Sequence, residues 1–166
     1  MAIKLGKKWT TRHHNQGWSF SMYRLGYTSG VFDLFHIGHL HLIERAKAQC
    51  ERLIVAVSTD ELVMEYKHKK PVIPYHERIE IVRALRFVDE VVPQANRNKL
   101  EAQAKFGFDV MFVGDDWKGS ALYSEVEKAF HQIGVDLVYL PYTHGTSSTL
   151  LTQVLTEIAH KNEGTA

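Results

Sequence analysis

Five short apolar runs alternate with helical patterns along this chain, which predicts an α/β fold. The expected architecture is a Rossmann-like, doubly wound parallel sheet of five strands with helices on both faces. Two further observations support it. Residues 52–58 form a near-continuous apolar run, as expected for a strand covered on both faces. The glycines, histidines and hydroxyl residues cluster just after the strands, where sheets of this kind bind ligands.

The elements follow in order. Residues 23–28 read as the first strand and residues 36–49 as the first helix. Residues 52–58 are the second strand, and Thr59 with Asp60 offers a helix cap. A basic loop then spans 66–74 and is stopped by Pro71 and Pro74. Residues 75–86 are helical, with Ile79, Val82 and Leu85 on one face, and 88–92 form a short strand. Residues 98–106 form a helix ended by Gly107, and 110–113 a buried strand. Residues 120–133 form a helix closed by Gly134, 135–140 the last strand, and 146–159 the closing helix. Residues 1–22 mix basic and polar residues with aperiodic Trp9, Trp18 and Phe20. They are expected to be a loosely ordered extension, ahead of a domain at 23–161 and a short tail at 162–166.

With 166 residues, one domain with a real core is expected. Twenty basic against nineteen acidic residues give a net charge of +1, no electrostatic case for a nucleic-acid partner. The single cysteine excludes an intrachain disulfide and fits a reducing compartment. No apolar run reaches membrane-spanning length, and the basic N-terminus lacks an apolar core of the signal-peptide kind. A cytoplasmic protein without a membrane partner is expected.

The residues that promise chemistry begin at Gly30-Val31-Phe32-Asp33 and run through His36, Gly38 and His39, across a strand-to-helix junction. A helix N-terminus presents unpaired N–H groups and a partial positive charge, both suited to phosphate. His36 and His39 share a helix face, and Gly38 leaves the backbone open between them. Two such imidazoles can hold a triphosphate and stabilise charge as phosphorus is attacked. A metal half-site is the competing reading, but Cys50 is the only cysteine and no second ligand cluster follows. Asp33 either caps the helix or positions a magnesium nucleotide or a lysine. Lys67 and Lys69 are solvated loop charges or a mobile clamp, with Arg78 following in the next helix. Gly114-Asp115-Asp116-Trp117 and Thr146-Ser147-Ser148-Thr149 each allow a turn or cap as well as a ligand contact.

The run Gly-x-Phe-Asp-x-x-His-x-Gly-His resembles the signature of the His-x-Gly-His nucleotidyltransferase superfamily, in its cytidylyltransferase branch. Residues 44–47, 57–61, 86–91 and 114–117 support the resemblance, the last pointing toward the glycerol-3-phosphate cytidylyltransferases. The resemblance implies that His36, His39, Lys69 and Arg78 are catalytic. It implies nucleotide contacts from Gly30, Val31, Phe32, Asp33, Gly38, Lys67, Gly114, Asp115, Asp116 and residues 146–149, and acceptor contacts from Trp117 and Lys67.

The implied reaction transfers CMP from magnesium-bound CTP to a phosphorylated alcohol such as glycerol 3-phosphate, by a homodimer. Mg²⁺ is held mainly by the nucleotide phosphates. Alternatives are another phospho-alcohol or phospho-sugar, an adenylyltransferase, or a non-catalytic nucleotide-binding module. Three positions depart from the relatives. Tyr142 stands where they carry Arg, with His144 as a candidate replacement for the charge. Val31 stands where they often carry Thr, and Arg97 lies near the place of a Trp.

Overall fold

The computed structural model describes residues 3–5, 8–10 and 22–163. A two-stranded antiparallel ribbon, β1 (Ile3–Leu5) and β2 (Lys8–Thr10), lies in the N-terminal extension. Residues 1–2, 6–7 and 11–21 of that extension lie outside the described residues.

The main sheet contains β3 (Tyr23–Gly30), β4 (Cys50–Ser58), β5 (Glu90–Gln94), β6 (Val110–Gly114) and β7 (Asp136–Leu140). Every neighbouring pair is parallel, and the order is β5-β4-β3-β6-β7. The chain therefore starts at the centre, moves out to β5, then crosses back to β6 and moves out the other way. The order reverses between β3 and β6, and a crevice opens there at the carboxyl ends of the strands.

The core has two layers because β4 buries both of its faces. Leu53, Val55 and Val57 face Ile43 and Ala46 of α1 (Ile37–Lys47) and Ile79 and Val82 of α3 (Tyr75–Arg83). Ile54 and Ala56 join Tyr27, Phe108, Met111 and Phe130 on the other face. That face is covered by α4 (Lys99–Phe106) and α5 (Ala121–Gln132). Burial of the Leu, Ile, Val, Phe and Met side chains among these contributes roughly 1.5–3 kcal/mol each.

Local chemistry sets the helix ends. Thr59 caps α2 (Asp60–Lys67), Asn98 caps α4 and Ser120 caps α5 through side-chain oxygens. Gly107 adopts a left-handed φ of 65° that ends α4.

Several boundaries differ from expectation. The basic segment starts as helix, since α2 runs through Lys67 before His68 turns left-handed at φ 54°. The helix expected over 75–86 stops at Arg83, and the next strand starts at Glu90 rather than 88. Asp89 explains the delay: its carboxylate accepts from Leu53 N–H at 2.7 Å and from Lys47 at 2.7 Å, so residues 84–89 serve as a pinned connection. The last helix, α6 (Ser148–Glu163), begins two residues later and extends further than expected.

Candidate active site

A cleft of about 350 Å³ lies over the carboxyl ends of β3 and β6, the size of a small-ligand site. Its floor is residues 28–33, and α1, α2, α4 and α6 contribute to its walls.

The histidine wall is built from the 30–39 loop. Phe32 and Leu34 take left-handed backbone conformations, φ 56° and 46°, which cost about 1–3 kcal/mol each. Two anchors offset that strain. Phe32 buries its ring, which packs edge-on to His39 at 5.3 Å. Asp33, between the strained pair, accepts hydrogen bonds from Leu34, Val72 and Ile73 N–H at 3.0, 2.8 and 2.9 Å. Asp33 therefore does not cap α1. It holds the segment that follows Lys69 and Lys70 against the histidine loop.

The cap of α1 is His36 itself. Its Nδ1 accepts from Gly38 N–H at 3.1 Å. A backbone N–H can only donate, so Nδ1 is the bare nitrogen and the neutral ring carries its proton on Nε2. A Cβ on residue 38 would meet the His36 ring at 2.8 Å, so glycine is required for this fold-back. The His36 and His39 rings lie 4.0 Å apart. Burial lowers the pKa of both, and the neighbouring His36 and Lys67 add to the effect on His39, which falls to about 3. Both are neutral donors in the ligand-free protein. Nδ1 of His39 is buried without a hydrogen-bond partner.

Across from this loop stands the start of α6. Ser147 Oγ accepts from Leu150 N–H at 3.1 Å, and Ser148 Oγ donates to the Asp33 carbonyl at 2.7 Å. Ser147, Ser148 and Thr149 all line the cleft, so a second helix N-terminus faces the same space as that of α1. Thr146 does not line it.

Gly30, Val31, Phe32, Asp33, His36, Gly38, His39, Lys67, Lys69, Gly114, Asp116 and Trp117 converge on the cleft as the sequence suggested. Arg78 and Asp115 do not. Arg78 is fully buried, and its guanidinium donates to the carbonyls of Ile73, Val31 and Ser58 and to the Asp60 carboxylate at 2.6 Å. With those donors spent on the protein, Arg78 positions the floor and the loop and does not reach into the cleft. Asp115 accepts from Tyr142 N–H at 2.9 Å and so fixes the strand-exit loop after β7. Asp116 lines the cleft, and burial and Asp115 raise its pKa. Tyr142 lines the cleft too, while His144 packs against its ring at 5.6 Å and lies outside the lining.

Sequence reasoning missed Lys99, Tyr66 and Tyr123, which also line the cleft; Arg97, whose region (residues 94–98) it read as shaping the acceptor site, lines it too. Lys99 was hidden because it opens a helix whose other face is core. The signal was present in Asn98, a cap residue immediately before a lysine at the end of a strand. Among the described residues, no three His, Cys, Asp or Glu side chains form a cation cage.

Comparisons with known proteins agree with this geometry. The model of the cytidylyltransferase-like family matches residues 27–154. A glycerol-3-phosphate cytidylyltransferase of Bacillus subtilis is 40% identical over 123 residues, 74% of this chain and 89% of that protein. The enzyme of the same name from Staphylococcus aureus is 37% identical, covering 77% of this chain and 92% of its own. An FAD synthase of Thermococcus onnurineus is 32% identical over 78% of this chain and 87% of its own. In fold, a lipopolysaccharide core biosynthesis protein of Thermoplasma volcanium superposes with a TM-score of 0.61 at 20% identity, over 74% of this chain and 98% of its own. The chain is a nucleotidyltransferase and belongs to the cytidylyltransferase-like family.

Proposed function

We propose that this protein transfers CMP from magnesium-bound CTP to a small phosphorylated alcohol, with glycerol 3-phosphate the leading acceptor. The observation that carries the reading is the neutral imidazole pair, His36 and His39, set between the N-termini of α1 and α6. A phosphate oxygen of the acceptor attacks the α-phosphorus of the nucleotide. The new P–O bond forms as the bond to the bridging oxygen breaks, and pyrophosphate leaves with that electron pair. The acceptor is already an anionic nucleophile, so no covalent protein intermediate is required. Catalysis then consists of positioning and charge stabilisation.

His36 donates Nε2–H to the phosphate oxygens, its orientation locked by Gly38 N–H. His39 stands 4.0 Å away to share the developing charge. Lys67, at the end of α2, and Lys69, in the loop that Asp33 holds in place, neutralise the triphosphate. The first-turn amides of α6 add donors with no intrahelical acceptor. Mg²⁺ would enter as part of the nucleotide substrate, held mainly by the nucleotide phosphates, and would help neutralise their charge. Asp33, one of the cleft carboxylates, suits that arrangement, since it is committed to backbone amides.

An adenylyltransferase is the second reading. It is favoured by the FAD synthase relatives and by Tyr142 in place of an arginine. A homodimer acting in the cytoplasm completes the proposal. Its supports are the resemblance of residues 86–91, the exposed Leu150, Val154, Leu155 and Ile158 on α6, and the lack of a membrane-crossing helix among the described residues. Phosphorus NMR of a mixture of CTP, Mg²⁺ and glycerol 3-phosphate tests the reaction. The pair of coupled diphosphate resonances of CDP-glycerol is expected. Consumption of ATP and not CTP would replace this reading by the second.

A further inference from the structure

The loop between β7 and α6 supplies part of the cleft wall, yet it brings no fixed charge to it. Of residues 141–147, Pro141, Tyr142, Thr143 and Ser147 line the cleft, and His144 does not. Tyr142 occupies the place of the relatives' arginine, so what this loop offers a phosphate comes from hydroxyls and backbone amides.

α1 fixes Thr143 beside the histidines. The point where a Cβ of Gly38 would sit lies 2.8 Å from the His36 ring and 4.0 Å from Thr143 Cβ. One turn further along the helix, His41 Nδ1 lies 3.3 Å from Thr143 Oγ1. One turn beyond that, Arg45 donates to the Pro141 carbonyl at 2.7 Å. Gly38, His41 and Arg45 are spaced three and four residues apart, so they form one stripe of α1. That stripe holds the loop, and neither His41 nor Arg45 lines the cleft itself. Asp115 holds the same loop through Tyr142 N–H at 2.9 Å.

The contact between His41 and Thr143 decides what the hydroxyl can do. A threonine hydroxyl has one proton to donate. If His41 Nδ1 is bare, Thr143 donates that proton to the ring and turns only lone pairs to the cleft, which a phosphate oxygen avoids. If Nδ1 carries a proton, as in the imidazolium or in the neutral Nδ1–H form, the ring donates to Thr143. The Thr143 proton is then free to point at a phosphate oxygen.

We propose that His41 is a positioning residue for the nucleotide. Its Nδ1–H turns the Thr143 hydroxyl into a donor to a phosphate oxygen, in place of the charge that the loop lacks, while Arg45 fixes the loop beside His36. The inference rests on the nucleotidyl-transfer reading and names a residue behind the cleft wall that sets its grip on the triphosphate.

The test compares wild type with His41→Leu, His41→Asn, Thr143→Val and the double variant that combines His41→Leu with Thr143→Val. In steady-state turnover of CTP with glycerol 3-phosphate, His41→Leu raises the CTP KM about tenfold, the scale of one hydrogen bond to a charged group. It leaves the acceptor KM within about twofold. His41→Asn recovers most of the loss, because its side-chain amide offers an N–H near the place of Nδ1. Since His41 acts through Thr143, the double variant is no weaker than Thr143→Val alone. An unchanged CTP KM in His41→Leu, or additive losses in the double variant, overturns the proposal. A second measurement is independent of turnover: calorimetric titration of inorganic triphosphate with Mg²⁺. Wild type binds and His41→Leu binds about tenfold more weakly; equal binding by both, or none by wild type, overturns the role. Nitrogen NMR of the histidine rings of wild type with bound triphosphate needs no variant, and so decides the matter where His41→Leu does not fold. A protonated Nδ1 on His41 is expected, and a bare one overturns the proposal. If triphosphate binding depends on His41 while wild type releases no pyrophosphate, the positioning role stands and the nucleotidyl-transfer reading falls.

Discussion

The two walls of the cleft are built on different principles. On the histidine side several polar groups are already committed to the protein: His36 to Gly38, Asp33 to three amides, Ser148 to the Asp33 carbonyl and, beneath the cleft, Arg78 to three carbonyls and Asp60. On the α4 side, Lys99 and Arg97 keep most of their donors, and each is held by a single contact, Ser29 or Tyr66. The committed wall suits a task that needs fixed dipoles, the stabilisation of developing charge at phosphorus. The open wall suits a task in which the ligand completes the site. One wall is thus preorganised, and the other keeps donors free for a ligand.

The sharpest way to break that contrast is to remove the locked donor. His36→Ala should lower turnover by about 10³-fold, the scale of losing a preorganised donor at a charged transition state, with a much smaller change in the CTP KM. A loss confined to KM would mean that His36 only binds. Arg78→Met separates positioning from ligation. Breaking a buried charge pair costs roughly 3 kcal/mol or more, so a large fall in the denaturation midpoint is expected. A variant of native stability with a raised nucleotide KM would instead make Arg78 a phosphate ligand. Lys69→Ala should reduce turnover at least tenfold, about 1.4 kcal/mol of transition-state stabilisation, and unchanged kinetics would remove Lys69 from the mechanism.

The smallest effect concerns pH. His39 is held neutral by burial, with its folded pKa near 3 against an ordinary value of 6.5. Between those values the unfolded chain binds a proton that the folded one does not, so stability rises with pH and is lost as pH falls below about 6.5. Denaturation midpoints of wild type and His39→Asn from pH 7 down to about 5 should converge. Parallel curves would show that His39 is not the neutral buried group described here.

The two walls also differed in legibility. The histidine wall could be read ahead of the structure because its parts are contiguous: strand, glycine, two histidines at helical spacing. The doubly wound sheet was equally readable, since β4 shows its two-sided burial as an unbroken apolar run. Arg78 was misplaced in role because a lone arginine in a helix gives no sign of whether its head points to ligand or to backbone carbonyls. Asp33 was left open for a related reason: its partners Val72 and Ile73 are 39 and 40 residues away. Lys99 and Ser29 lie 70 residues apart, and only the parallel sheet, by setting the start of α4 against the end of β3, brings them together.

The account rests on nucleotidyl transfer through this cleft, and pyrophosphate release tests it most directly. Wild-type protein with Mg²⁺ should be assayed with CTP or ATP against glycerol 3-phosphate, ethanolamine phosphate, choline phosphate and a no-acceptor control. Release that requires CTP and a phosphomonoester, fastest with glycerol 3-phosphate, is the predicted result. No release above the control with either nucleotide and any acceptor would contradict it.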